Sequence, residues 1–175
     1  MTGRGDILPG TAETFRTLWR GFGSGVTLIA TETGGETFAM VATAAISVSM
    51  EPPSLLISVN RSASAYDALC ARGAFSLGIL DGESAGVGMA IARAPTAERC
   101  AHGTWRKLDG AGAPVDGLPW LAETQATFFC ATDTTVDYGT HRLFIARVLC
   151  ATGKLGDDPL LYCGGRFGRF AEIGA

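Results

Sequence analysis

Apolar and polar positions recur with different periods along this chain, and those periods predict its elements. Phe15, Leu18, Trp19 and Phe22 fall at i, i+3, i+4 and i+7, the stripe of an amphipathic helix from Glu13 to Phe22. The glycines of "GFGSG" (Gly21–Gly25) stop it. "VTLIAT" (Val26–Thr31) is then a short β-branched run, and Gly34-Gly35 reads as a hairpin turn into a return strand from Thr37 to about Ala44. "SLLISV" (Ser54–Val59) is the next strand, entered in extended conformation through Pro52-Pro53. Ser64 is expected to cap a helix from Ala65 to Ala71, with Gly73 where a helix C-terminal glycine belongs.

"AFSLGIL" (Ala74–Leu80) reads as a strand and Glu83 to Ala92 as a helix. From Pro95 to about Pro119 the chain is rich in Gly, Ala and Pro and reads as a loop. Two long β-rich runs follow, Ala126–Gly139 and His141–Gly153, joined at Gly139-Thr140, and "PLLYCGGRF" (Pro159–Phe167) adds a last strand and turn. The pattern holds no internal repeat and no linker. Six or more strands with two or three short helices predict a mainly β, largely antiparallel small barrel with helical attachments.

Composition narrows the class. With 175 residues, 47% hydrophobic and 18% charged, the chain suits one domain with a sizeable core, and 24 glycines favour many turns. Residues 1–12 are expected to form a loose arm and 13–175 the domain. The Arg4-Gly5-Asp6 tripeptide lies in that arm and reads as chance. A net charge of −3 with interspersed signs is not the basic footprint of a nucleic-acid binder. The five cysteines are widely spaced without a C-x-x-C and read as reduced core thiols. No basic-then-apolar leader and no apolar run near 18 residues occurs, so the expectation is a cytoplasmic protein that does not span a membrane.

Two glycine motifs are decoys by this reading. "GFGSG" has Val26 where G-x-G-x-x-G needs its third glycine, and it follows a helix rather than a strand. "GESAG" (Gly82–Gly86) satisfies G-x-S-x-G between a strand and a helix, which makes Ser84 a remote candidate for a hydrolase nucleophile. Yet the chain lacks the alternating parallel strands and helices of that fold, and a helix N-cap turn accounts for the motif. His102 and His141 are the two histidines, and neither has a second ligand at a zinc spacing.

Three polar clusters remain. "VATAAISVS" (Val41–Ser49) places small residues where a flat ring could approach the backbone. "NRSAS" (Asn60–Ser64) combines a cation, hydroxyls and a helix start, the ingredients for holding a phosphate. "YGTH" (Tyr138–His141) puts an imidazole at the joint of two long strands. Taken alone, each reads as turn and capping chemistry ahead of any function.

In their order along one chain, these clusters resemble the flavin reductase-like family. The markers are "GFGSGVTLIAT", "ISVSMEPPSLLISVNRSAS", "AFSLGIL", "YGTHRLFIARV" and "PLLYCGGRF", spanning about Phe15 to Phe170. The resemblance implies an antiparallel, Greek-key-like FMN-binding split β-barrel, homodimeric, with flavin near the subunit interface. It implies that Val41, Ala42, Thr43, Ser47, Val48 and Ser49 frame the flavin, and that Asn60, Arg61, Ser62 and Ser64 anchor its phosphate. His141 would orient nicotinamide or stabilise reduced flavin. The chain departs from the family where Gly-Met-Thr-Ala-Asn becomes Ala39-Met40-Val41-Ala42-Thr43, losing a hydroxyl and an amide, and where Gly-Asp-His becomes Gly139-Thr140-His141.

The activity so implied is an NAD(P)H:flavin oxidoreductase that reduces FMN or FAD with NADH or NADPH and supplies a partner monooxygenase. It needs no nucleophile or metal, because the cofactors carry the hydride chemistry. The other readings are a protein that retains FMN as a carrier or sensor and, remotely, the Ser84 hydrolase. No acid or arginine that would read the ribose, and so choose between NADH and NADPH, is identifiable from the sequence.

Overall fold

A computed structural model describes residues 7–154 and 158–174. Residues 1–6 of the expected arm, including the Arg-Gly-Asp, lie outside the described residues. In chain order the elements are α1 (Ala12–Trp19), β1 (Ser24–Gly25), β2 (Thr27–Thr33), β3 (Glu36–Ala42), β4 (Ala45–Met50), β5 (Pro53–Asn60), α2 (Tyr66–Arg72) and β6 (Ala74–Ile79). They continue as α3 (Ala85–Arg93), β7 (Trp105–Lys107), β8 (Pro119–Leu121), β9 (Ala126–Tyr138), β10 (His141–Gly153), β11 (Leu161–Cys163) and β12 (Arg166–Gly168).

Seven strands form one antiparallel sheet in the order β3-β2-β6-β9-β10-β5-β4. Its two edges, β3 and β4, are consecutive in sequence, joined only by Thr43 and Ala44. So short a link reaches about 10 Å at most, so the edges must meet at that corner and the sheet must curl. The Ser58 amide donates to the Ala44 carbonyl at 3.0 Å, fastening the corner to β5. The result is a split barrel, with hydrogen bonding running around the wall from one edge to the other.

Side-chain alternation fills it. Ile29, Leu55, Ile57, Val59, Phe75, Leu77 and Phe144 are buried in one cluster, closed at one end by Leu69 of α2. The other face of β2 is also covered: Leu28 and Ala30 pack with Leu80, Ile91 of α3 and Leu160. This two-sided burial is why "TLIA" reads as a continuous apolar run instead of an alternating one. Each such fully buried Leu, Ile or Phe contributes roughly 1.5–3 kcal/mol of transfer free energy. Gly73 ends α2 at φ 65°, a left-handed position that glycine takes without strain, and its amide donates to the Leu69 carbonyl at 3.0 Å.

Three local expectations are corrected. The first helix is shorter than expected and is capped by the Thr11 hydroxyl, which accepts from the Thr14 amide at 3.1 Å. Its stripe is not buried: Phe15, Leu18, Trp19 and Phe22 are 55–65% exposed, and three of the rings stack on one another. Periodicity marks which side of a helix is apolar, not whether anything covers it. Second, Ser64 does not cap α2. Ala65 holds the N-cap position with no side-chain bond, and the Ser64 hydroxyl is engaged by Arg99 instead. Third, the stretch from Pro95 to Pro119 contains a 3-10 turn (Thr96–Ala101) and the β7–β8 ladder.

Candidate functional site

The sheet corner and the outward face of β5 form the wall of a cavity of about 430 Å3. On β5, Leu55, Ile57 and Val59 point into the core, so Ser58 and Asn60 point out and line this cavity. Val41, Ala42 and Thr43 line it from the end of β3 and the corner, and their small side chains leave the backbone open to a flat ligand. His141 opens β10 and lies directly opposite Asn60 in the ladder, which puts imidazole and carboxamide side by side. The His141 Nδ1 is 2.9 Å from the Thr140 hydroxyl, so the residue that departs from the family's Gly-Asp-His still positions the ring. Nε2 then remains available to a ligand.

A smaller cavity of about 390 Å3 continues from the first, sharing Met40, Val41, Ala63 and Ala92. Its polar lining is Ser62, Ser64, Thr96 and Arg99. The Asn60 side-chain oxygen accepts from the Ser62 amide and hydroxyl, both at 2.9 Å. This Asx turn uses the oxygen and leaves the carboxamide N–H groups for the larger cavity. Arg99 is the residue that sequence reasoning missed. Its Nη1 donates to the Ala39 carbonyl and the Ser64 hydroxyl, each at 3.1 Å, and its Nε to the Ala94 carbonyl at 3.3 Å. A guanidinium has five N–H donors. Three are used, and the two on Nη2 have no protein acceptor among the described residues.

The remaining sequence-predicted residues are placed elsewhere. Arg61 is exposed, and its guanidinium donates to the Gly139 carbonyl, tying the β5–α2 turn to the β9–β10 hairpin. It lines neither cavity. Ser47 and Ser49 line a separate, apolar cavity at the barrel mouth, with Leu55, Leu77, Phe128 and Val148. The Ser49 hydroxyl accepts from the Glu51 amide at 3.0 Å and donates to its carbonyl at 3.1 Å, which is turn chemistry. Val48 sits at the bulge between them and is half exposed.

The Ser84 alternative finds no support in its surroundings. Ser84 is 2% exposed, and its hydroxyl accepts from the Asp81 amide at 2.8 Å while donating to the Asp81 carboxylate at 2.9 Å. The same carboxylate accepts from the Ser84 amide at 2.8 Å. Burial pushes the Asp81 carboxyl up, but the bonds from Ser84 outweigh it and hold the group below its ordinary range. This is a reciprocal turn lock, with no imidazole in it. Among the described residues, no three His, Cys, Asp or Glu side chains are grouped to hold a metal ion.

The family model described as "Flavin reductase like domain" matches residues 19–171. The chain belongs to that family. This flavin reductase-like chain is 32% identical over 154 residues to the FMN reductase (NADH) RutF of Pseudomonas syringae pv. syringae, covering 87% of this chain and 83% of that one. It is 33% identical over 166 residues to the reductase component of the FADH(2)-dependent resorcinol hydroxylase of a Rhizobium species, covering 93% and 89%. Among solved structures, the NADH:FAD oxidoreductase of Streptomyces globisporus superposes with a TM-score of 0.84 at 26% identity, covering 97% of this chain and all of that one. The mainly β, antiparallel fold expected from the sequence is thus shared with that solved flavin reductase.

Proposed function

We propose that this chain is an NAD(P)H:flavin oxidoreductase that reduces FMN or FAD and supplies reduced flavin to a partner monooxygenase. The observation that carries this reading is the pair of continuous cavities: small residues, Asn60 and His141 around one, and two serines with Arg99 around the other. A flavin fits this donor set. The open backbone at Val41–Thr43 takes the flat ring, and the free N–H groups of Arg99 with the Ser64 hydroxyl proton take a phosphate, which the Ser62 hydroxyl joins only by turning away from Asn60. When bound, flavin would supply the redox chemistry as the acceptor of hydride from a reduced nicotinamide. The chain's own task is to bind, orient and stack. Asn60 offers amide donors to the ring, and His141, fixed through Thr140, presents Nε2 beside it. The relatives named above, two of them NADH-linked by name, support NADH as the donor.

The resorcinol hydroxylase component supports release of reduced flavin to an oxygenase. A homodimer is part of the same proposal: the exposed Ile46, Val48 and Met50 of edge strand β4 are apolar surface that a second copy would cover. Among the described residues no helix is long and apolar enough to cross a membrane; a cytoplasmic location belongs to the proposal. A steady-state assay crossing NADH and NADPH with FMN and FAD tests the reading. Flavin-dependent oxidation of a reduced nicotinamide is expected. Its absence, with FMN bound tightly and unexchanged, would instead establish the carrier.

A further inference from the structure

Beside the flavin cavity lies a second chamber of about 530 Å3 that the assignments above leave unused. Thr43, His141 and Tyr162 line both, so the two are continuous. The far wall is α1, which contributes Phe15, Arg16, Trp19 and the helix-end Arg20. Arg16 and Arg20 are four residues apart and therefore neighbours on one helix face. Both are exposed, and neither forms an ion pair among the described residues. Trp19 is stacked between Phe15, with ring centres 5.2 Å apart, and Phe22, at 4.8 Å.

We propose that this chamber takes the adenosine diphosphate arm of a dinucleotide whose redox ring occupies the adjoining cavity. The inference rests on the reductase reading. Arg16 and Arg20 hold the diphosphate: two cations one helical turn apart match two linked phosphates, and guanidinium forks suit phosphate oxygens. The aromatic rack of α1 offers a face on which adenine stacks, an interaction tolerant of exact placement. This gives the exposed stripe a purpose that periodicity alone could not assign. Apolar rings explain an interface with a second copy equally well, but two guanidiniums that have no ion pair among the described residues and share a chamber with His141 point to an anionic ligand.

Two molecules carry this arm, FAD and the nicotinamide dinucleotide, and the test separates them. The probe is ADP-ribose, which has the arm and no redox ring, titrated by calorimetry and by tryptophan fluorescence into wild type and Arg16→Ala/Arg20→Ala. About a tenfold or greater loss of ADP-ribose affinity is expected in the double variant, as for lost charge-assisted bonds, with FMN affinity within twofold. Arg16→Lys/Arg20→Lys should recover part of the loss. A fall in the FAD-to-FMN affinity ratio assigns the arm to FAD. A fall in the ratio of kcat/KM for NADH to that for reduced nicotinamide mononucleotide assigns it to the nicotinamide dinucleotide. Unchanged ADP-ribose affinity, or an equal loss for FMN, overturns the proposal. Failure of the reductase reading shows differently, as wild type that oxidises no nicotinamide with any flavin.

Discussion

Which guanidinium holds the flavin phosphate is the most direct test of the site. The sequence nominates Arg61; the structure places Arg99 in the cavity, with Ser62 and Ser64, and turns Arg61 toward the Gly139 carbonyl. The perturbation is Arg99→Met, which keeps the stem and removes the charge. Two N–H groups on Nη2 are free for a phosphate, so up to two charge-assisted bonds are lost. Such bonds are worth about 1.5–3 kcal/mol, and the half-buried setting argues for the lower end, about tenfold in FMN affinity. Calorimetric titration with FMN and with riboflavin, which lacks the phosphate, isolates the effect. FMN affinity should fall about tenfold while riboflavin affinity stays within twofold, and Arg61→Met should leave both within twofold. Arg99 also holds the Ala39 and Ala94 carbonyls, so thermal melts and Arg99→Lys, which keeps the charge, accompany the titration. Equal losses for FMN and riboflavin, or a loss in Arg61→Met alone, refute the assignment.

His141→Ala is expected to change flavin affinity or the hydride-transfer rate by more than twofold; stopped-flow traces with both inside that limit would remove the imidazole from the site. Ser84→Ala should retain flavin-dependent NADH oxidation but melt earlier by about 2–4 °C at pH 7, for a loss near 1 kcal/mol. Because Asp81 has its folded pKa lowered by Ser84, the stability this gives is present above the unfolded value of about 3.9 and lost as pH falls through the folded pKa. The gap between wild type and variant in acid melts should therefore narrow below about pH 4. Gly78→Ala would bring a Cβ to 2.5 Å from the Thr124 methyl, and that side chain is held by bonds to the Leu121 carbonyl at 2.8 Å and Thr127 at 2.7 Å. A cost of about 1–3 kcal/mol in urea melts is expected, and an unchanged midpoint would mean that Thr124 yields freely. Cys70 and Cys163 are exposed, not core thiols as the sequence suggests, and should react first in native thiol labelling at pH 8. Cys130, fully buried and pushed up to about 12 by that burial, should stay unlabelled until unfolding.

The strands were legible because each carries its own signal. "SLLISV" alternates, "VTLIAT" runs apolar because both its faces are covered, and Gly34 and Gly35 take the positive φ that their hairpin turn requires. What local signal lacks is the neighbour. Phe15, Leu18, Trp19 and Phe22 give the period of a buried helix face, yet no described element of this chain covers them. Ser64 has the composition of an N-cap, and it loses that role because Arg99, 35 residues away, takes its hydroxyl.

The same distinction divides the candidate site. Asn60 and Ser58 belong to the outward face of β5 by the alternation that sends Leu55, Ile57 and Val59 inward, so their place in the cavity follows from period two. Arg61 is the next position, beyond the strand and on the opposite alternation, and its turn toward Gly139 could have been anticipated on that ground. Arg99 could not. It reaches the cavity because the 3-10 turn Thr96–Ala101 packs against β3, a contact between segments that share no pattern and are separated by two helices and three strands. A phosphate seat assembled this way takes its hydroxyls from one segment and its charge from another. That is why the sequence points to a cation beside the serines along the chain, Arg61, while the cation beside them in space is Arg99.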